Sequence, residues 1–132
     1  MHPLSALLVD DNPVFLSAAA AFLRELHPDE VAVVGTASGG EEALAQIRRL
    51  SPRVVLLDLC MSGVSGLEVI PRVREAYPEV RIIVLTMLDT DAYRKAALAA
   101  GADGFVSKTT LETDLLPAIR RAAGAGRVAR VP

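Results

Sequence analysis

The stretch Ala6-Leu7-Leu8-Val9-Asp10-Asp11-Asn12-Pro13 decides the fold. Four apolar residues without polar alternation read as a strand covered on both faces. Two acids close that strand. Asn12 then Pro13 read as an N-cap and first helical residue, opening a helix to about Leu26. The rhythm returns, with strand candidates at Val31–Thr36, Val54–Leu57, Arg81–Leu85 and Gly104–Val106. Each is followed by a helical pattern. Ser38-Gly39-Gly40-Glu41 has capping-box spacing and opens Glu41–Leu50, with Pro52 just beyond. Gly66 to Tyr77 is helical in period and stopped by Pro78. Thr90 to Ala100 ends at Gly101, a residue suited to a helix C-terminus. The last helix runs from Thr110 or Glu112 to Ala123, with Pro117 tolerable only within or near its first turns.

Strands alternating with helices in this way build βαβ units, hence a parallel sheet with right-handed crossovers. Five units match an α/β, flavodoxin-like (βα)5 doubly wound fold, a five-stranded parallel sheet of order 2-1-3-4-5. Residues 1–123 form one domain on this reading, and Gly124 to Pro132, rich in Gly, Ala and Arg, reads as a linker or C-terminal tail.

The composition narrows the function classes. With 52% hydrophobic and 23% charged residues in 132, the chain can bury a core of Val, Leu, Ile and Ala. A formal net charge of -2 argues against direct nucleic-acid contact by this domain. A lone cysteine, Cys60, excludes an internal disulfide and suits a reducing cytoplasm. No stretch approaches the roughly 18 apolar residues of a membrane span, and the opening run lacks the basic flank of a signal peptide.

In the 2-1-3-4-5 order, strands 1 and 3 are neighbours, and ligands bind beyond the carboxyl ends of the strands. Asp10, Asp11, Asp58, Thr86 and Lys108 all fall at such ends. Any one of them could be an ordinary cap or loop residue; their joint placement points to chemistry. Carboxylates crowded together repel unless a cation neutralises them, and an all-oxygen set suits Mg²⁺. Asp58 is then the candidate nucleophile, since a carboxylate can accept a phosphoryl group. Thr86 offers a hydroxyl and Lys108 an ammonium to the same group.

The segments Leu7-Leu8-Val9-Asp10-Asp11-Asn12, Leu57-Asp58-Leu59-Cys60-Met61, Leu85-Thr86 and Gly101-Ala102-Asp103-Gly104-Phe105-Val106-Ser107-Lys108 resemble a bacterial response-regulator receiver domain, CheY-like and of the NarL/FixJ type. The resemblance runs from about Leu4 to Ala123. It implies a two-component phosphorelay in which Asp58 accepts a phosphoryl group from the phosphohistidine of a sensor histidine kinase. It further implies that Asp11, Asp58 and the backbone carbonyl of Cys60 hold Mg²⁺, with Asp10 assisting through water. Thr86 and Phe105 would be a switch pair, the hydroxyl moving toward the phosphoryl group and the ring turning inward. Such a protein is not an enzyme with turnover on other substrates; it promotes its own phosphorylation and dephosphorylation. Its output would be a DNA-binding transcription-regulator domain, with a homodimer contact through Thr90–Ala100, Gly104–Val106 and Glu112–Ala123.

Three departures from the family pattern stand out: Ser62 and Thr109 occupy positions where the family commonly has Pro, and Phe105 lacks the hydroxyl of a tyrosine. The Lys108-Thr109 bond is therefore expected to be trans. Cys60 and Leu88 near the site are uncharged and poorly suited to orient an attacking water, so slow loss of the phosphoryl group is expected. Nothing basic in sequence flanks Cys60 closely enough to make it a redox sensor. The alternatives are a stand-alone or degenerate receiver used for protein contacts, an Mg²⁺-dependent aspartyl phosphatase and a flavin binder. The phosphatase needs Asp-x-Asp after strand 1 and a cap insertion. The flavin binder needs a Ser/Thr/Gly-rich loop where Asp10-Asp11-Asn12 stands.

Overall fold

The computed structural model describes residues 3–61, 65–87 and 90–129; Ser62, Leu88 and the tail residues 130–132 lie outside them. The order of elements is β1 (Leu4–Val9), α1 (Pro13–Leu26), β2 (Val31–Ala37), α2 (Gly40–Leu50), β3 (Val54–Leu57), α3 (Gly66–Ala76), β4 (Arg81–Thr86), α4 (Asp91–Ala100), β5 (Gly104–Ser107) and α5 (Leu111–Ala129), with a 3₁₀ turn at Lys108–Thr110. The strands pair in parallel in the order β2-β1-β3-β4-β5, as the βα rhythm predicts.

Strand parity divides the core into two layers. Leu7, Val9, Val55, Leu57, Ile82, Val84 and Phe105 face α2, α3 and α4 through Ala43, Ile47, Val69, Ile70, Val73 and Ala97. The alternate residues Ala6, Leu8, Val54, Leu56, Ile83, Leu85 and Val106 face α1 and α5 through Ala19, Leu23, Leu115 and Ile119. Every residue of β3 and β4 is buried, so these strands carry no polar alternation. Each fully buried Leu, Ile or Val contributes roughly 1.5–3 kcal/mol.

Local signals set the helix ends. Asn12 Oδ1 accepts from the Val14 and Phe15 N–H groups at 3.0 and 3.3 Å, and Pro13 takes the first helical position. Ser65 caps α3 and Thr90 caps α4. Gly101, at φ 119°, ends α4 in a left-handed conformation that a side chain would strain.

Three expectations need correction. Helix α2 begins at Gly40 with Gly39 as a cap without a side chain, and the acid reaching back to Ser38 is Glu42 rather than Glu41. The Ser38 backbone N–H and hydroxyl hold the Glu42 carboxyl below the usual glutamate range. Glu41 instead pairs with Arg72. Helix α5 continues past Ala123 to Ala129. Glycine costs a helix about 1 kcal/mol against alanine but does not stop it, and propagation from the docked turns carries it through Gly124. Pro117 is seventh in α5, in its second turn, and Pro71 lies inside α3.

Arg74, near the end of α3, ties three elements together. Its Nη1 donates to the carbonyls of Pro78 and Val80, its Nε and Nη2 donate to the Gly101 carbonyl, and Nη2 donates to Asp103 at 2.6 Å. Asp103 also accepts from the Ile82 N–H at 2.9 Å and faces Arg81 at 3.8 Å. One planar guanidinium thereby fixes the ends of α3 and α4 against the start of β4. Arg74→Ala removes the donor from the part-buried Gly101 and Val80 carbonyls and should cost roughly 2 kcal/mol in denaturant unfolding, with Arg74→Lys recovering only part of it. A loss under about 0.5 kcal/mol would mean that water replaces the clamp.

Candidate functional site

The site forms where ladder hydrogen bonds run on past the strand ends. The Asp10 N–H donates to the Ala37 carbonyl at 3.0 Å, and the Asp58 N–H donates to the Val9 carbonyl at 3.0 Å. These bonds hold the two acidic corners in register at the point where the strand order reverses. The Asn12 N–H donates to Asp10 Oδ1 at 2.9 Å, so the residue that caps α1 also orients the first acid. Gly66 shapes the other wall. A Cβ there would lie 2.5 Å from the Asp58 carbonyl oxygen and 2.7 Å from the Leu59 Cα, so only glycine lets α3 start against this backbone.

Asp10, Asp11 and Asp58 each place a carboxylate oxygen within 4.8 Å of the others. Asp10 and Asp58 are 1% and 5% exposed, and Asp11 faces solvent. Lys108, just after β5, donates from Nζ to Asp10 Oδ2 at 2.5 Å and stands 3.7 Å from Asp58 Oδ2. One ammonium against three carboxylates leaves an excess of negative charge. Burial raises the Asp58 pKa above the usual aspartate value; Lys108 opposes the shift, Asp10 adds to it, and a hydrogen bond from the Cys60 N–H opposes it.

This donor set fits a hard divalent cation. Oxygens bound to one Mg²⁺ at about 2.1 Å lie about 3–4 Å apart, a spacing these carboxylates reach with small side-chain adjustments. The Cys60 backbone N–H donates to the Asp58 carboxylate. The residue is exposed, and its thiol is pushed upward by local desolvation and then by Asp58, the reverse of what a reactive thiolate needs.

Thr86, the last residue of β4, is wholly buried. Val84 pairs with Phe105 and Thr86 with Ser107, so Thr86 and Phe105 are diagonal neighbours on the sheet face that α4 covers. The Phe105 ring is buried, with the Arg94 guanidinium 4.7 Å from its centroid. Among the described residues no peptide bond is cis, so Lys108-Thr109 is trans as expected.

Sequence reasoning missed two side chains here. Arg94 belongs to none of the motifs above, and neither does Phe15, whose ring centroid lies 4.1 Å from Lys108 Nζ. Its place in the first turn of α1, three residues after Asn12, was the available signal.

Comparison with known proteins agrees with this geometry. Residues 6–120 match the family model described as the response regulator receiver domain. The chain is 38% identical over 122 residues to the nitrate/nitrite response regulator protein NarL of Escherichia coli (strain K12), covering 92% of this chain and 56% of that protein. It thus spans about half the length of the curated relatives it matches. A LuxR-family two-component response regulator from Aurantimonas sp. SI85-9A1 superposes with a TM-score of 0.83 at 28% identity, covering 96% of this chain and 99% of that one. The isolated receiver domain of RcsB from Salmonella enterica serovar Typhimurium, solved with the phosphomimetic BeF3⁻, gives 0.80 at 28% identity, covering 90% and 87%.

Two outcomes follow from the charge balance and the close approach. The folded state holds the Asp58 proton more tightly than the unfolded chain does. Its contribution to stability is therefore present below the ordinary aspartate value and lost as pH rises through the raised one. Metal-free Asp58→Asn should melt higher than the wild type near neutral pH, and the gap should close toward about pH 4. A wild type that is the more stable at neutral pH would show Lys108 outweighing burial. Gly66→Ala should cost about 2 kcal/mol by forcing α3 off the Asp58 backbone and should weaken Mg²⁺ binding in calorimetry. Unchanged Mg²⁺ affinity would mean that α3 shifts without disturbing the acids.

Proposed function

The chain belongs to the response regulator receiver domain family of two-component systems, in its NarL-type branch, and on that premise we propose that it is a switch operated by phosphorylation of Asp58. The observation that carries this reading is the convergence of Asp10, Asp11, Asp58 and Lys108 at the ends of three strands. We take Asp58 as the acceptor because it is a buried acid beside Asp10 and Asp11 that stands 3.7 Å from Lys108, farther than Asp10 does, and so is the less well neutralised of the two buried carboxylates. One of its oxygens attacks the phosphorus of a phosphohistidine on a sensor histidine kinase. An O–P bond forms, the N–P bond breaks, and the imidazole nitrogen keeps the electron pair.

Mg²⁺, when bound by Asp11, Asp58 and the Cys60 carbonyl with Asp10 assisting, supplies positive charge against the transferred group. The chain's own part is positioning. Lys108 stands 3.7 Å from Asp58 and can turn from Asp10 toward a phosphoryl oxygen there. Thr86 offers its hydroxyl from the next strand. Movement of Thr86 alters the packing on the face it shares with Phe105, and α4 above that ring transmits the change. The protein acts on itself and turns over no other substrate.

The surface formed by Thr90–Ala100, Gly104–Val106 and Glu112–Ala123 is the face the switch remodels, and we assign to it a homodimer contact. The relatives' greater length supports a DNA-binding output domain as the receiving part, in a cytoplasmic transcription regulator. Among the described residues, no helix is long and apolar enough to cross a membrane.

Incubation with acetyl phosphate and Mg²⁺ should add the mass of one phosphoryl group, lost in Asp58→Asn and in the presence of a chelator. The adduct should persist for minutes, since Cys60 offers no group that activates water. Absence of any adduct would leave a receiver used only for protein contacts, and a lifetime of seconds would remove the Cys60 argument.

A further inference from the structure

Lys108 is held from three directions, and the receiver chemistry accounts for two of them. One N–H goes to Asp10, and the gap to Asp58, at 3.7 Å, is too long for a hydrogen bond. The third direction ends on the face of Phe15, 4.1 Å from Nζ to the ring centroid. An ammonium over an aromatic face is attracted by the ring quadrupole, most strongly where water is largely excluded, and the Lys108 side chain is only 12% exposed.

The ring is placed by the loop that places the acids. The Phe15 N–H donates to Asn12 Oδ1, and the Asn12 N–H donates to Asp10 Oδ1. The Phe15 backbone and the Asp10 carboxylate are thus tied to one capping residue. Lys108 also borders an open groove of ≈ 390 Å³ between α1 and the start of α5, which Phe15, Phe22 and Thr110 line with it. Without the ring, the flexible lysine stem has solvent to swing into.

We propose that Phe15 is a positioning residue for Lys108, its ring face holding the ammonium beside Asp58 where a phosphoryl oxygen arrives. The proposal rests on the phosphoacceptor reading and adds a residue to it. A purely apolar contact would be served equally by leucine; an electrostatic one needs the ring.

Two measurements test it. In metal-free protein, the Lys108 Cε protons should show an upfield ring-current NMR shift that Phe15→Leu abolishes and Phe15→Tyr keeps. With acetyl phosphate and Mg²⁺, Phe15→Leu should phosphorylate about fivefold more slowly than the wild type, with Mg²⁺ affinity unchanged and Phe15→Tyr restoring the rate. Should Phe15→Leu fold poorly by its melting curve, Phe15→Met reads the same loss. A wild type with the NMR shift but no phosphorylation would overturn the phosphoacceptor reading and leave the contact standing. A phosphorylated wild type matched in rate by Phe15→Leu, or lacking the ring-current shift, would overturn the positioning role.

Discussion

The Lys108 ammonium lies 2.5 Å from Asp10 and 3.7 Å from Asp58, and this charge contact is what allows two acids to be buried at the ends of adjacent strands. A buried carboxylate is costly unless paired and hydrogen-bonded. Asp10 has its lysine and the Asn12 N–H, whereas Asp58 has a more distant lysine and the Cys60 N–H. The imbalance concentrates the unfavourable charge on Asp58. The fold tolerates it because both acids are fixed through their backbones by ladder hydrogen bonds. An acid that is poorly neutralised at rest gains most from a cation or from esterification. The energetics of the resting protein and the chemistry proposed for it are therefore one argument.

The rest of the molecule serves that placement. The parallel order brings β1 beside β3, parity sets Thr86 and Phe105 on the same face, and Gly66 lets α3 begin against the Asp58 carbonyl. The first two relations are not local in sequence. Both depend on the crossovers that bring distant βα units side by side in one sheet.

The sheet order and five strands were legible because the apolar runs were short and separated by caps such as Asn12, Thr90 and Gly101. The acids were legible because the βα reading placed each just beyond a strand, and the structure gathers all three with Lys108. What could not be read came from side-chain reach. Glu42 rather than Glu41 serves Ser38 because the helix begins one residue early, which shifts by one position the carboxylate that reaches back to Ser38. The end of α5 was misplaced because glycines weaken a helix without terminating it. Arg74, Arg94 and Phe15 act across 29, 11 and 93 residues of sequence respectively, so no period or spacing names their partners, even where, as for Phe15, a place in the first turn of α1 marks the residue itself.

Helix α4 differs from its neighbours in how little of it is covered: Ala97 is its one buried residue, while Arg74 secures the Gly101 turn at its far end. A segment with so little apolar anchoring opens at a free energy well below that of global unfolding. Its amides should accordingly be the first in the helical layer to trade protium for deuterium, starting from the Thr90 end. Any partner that grips this helix must also supply the entropy of stilling it, so binding and ordering at that surface become one thermodynamic event.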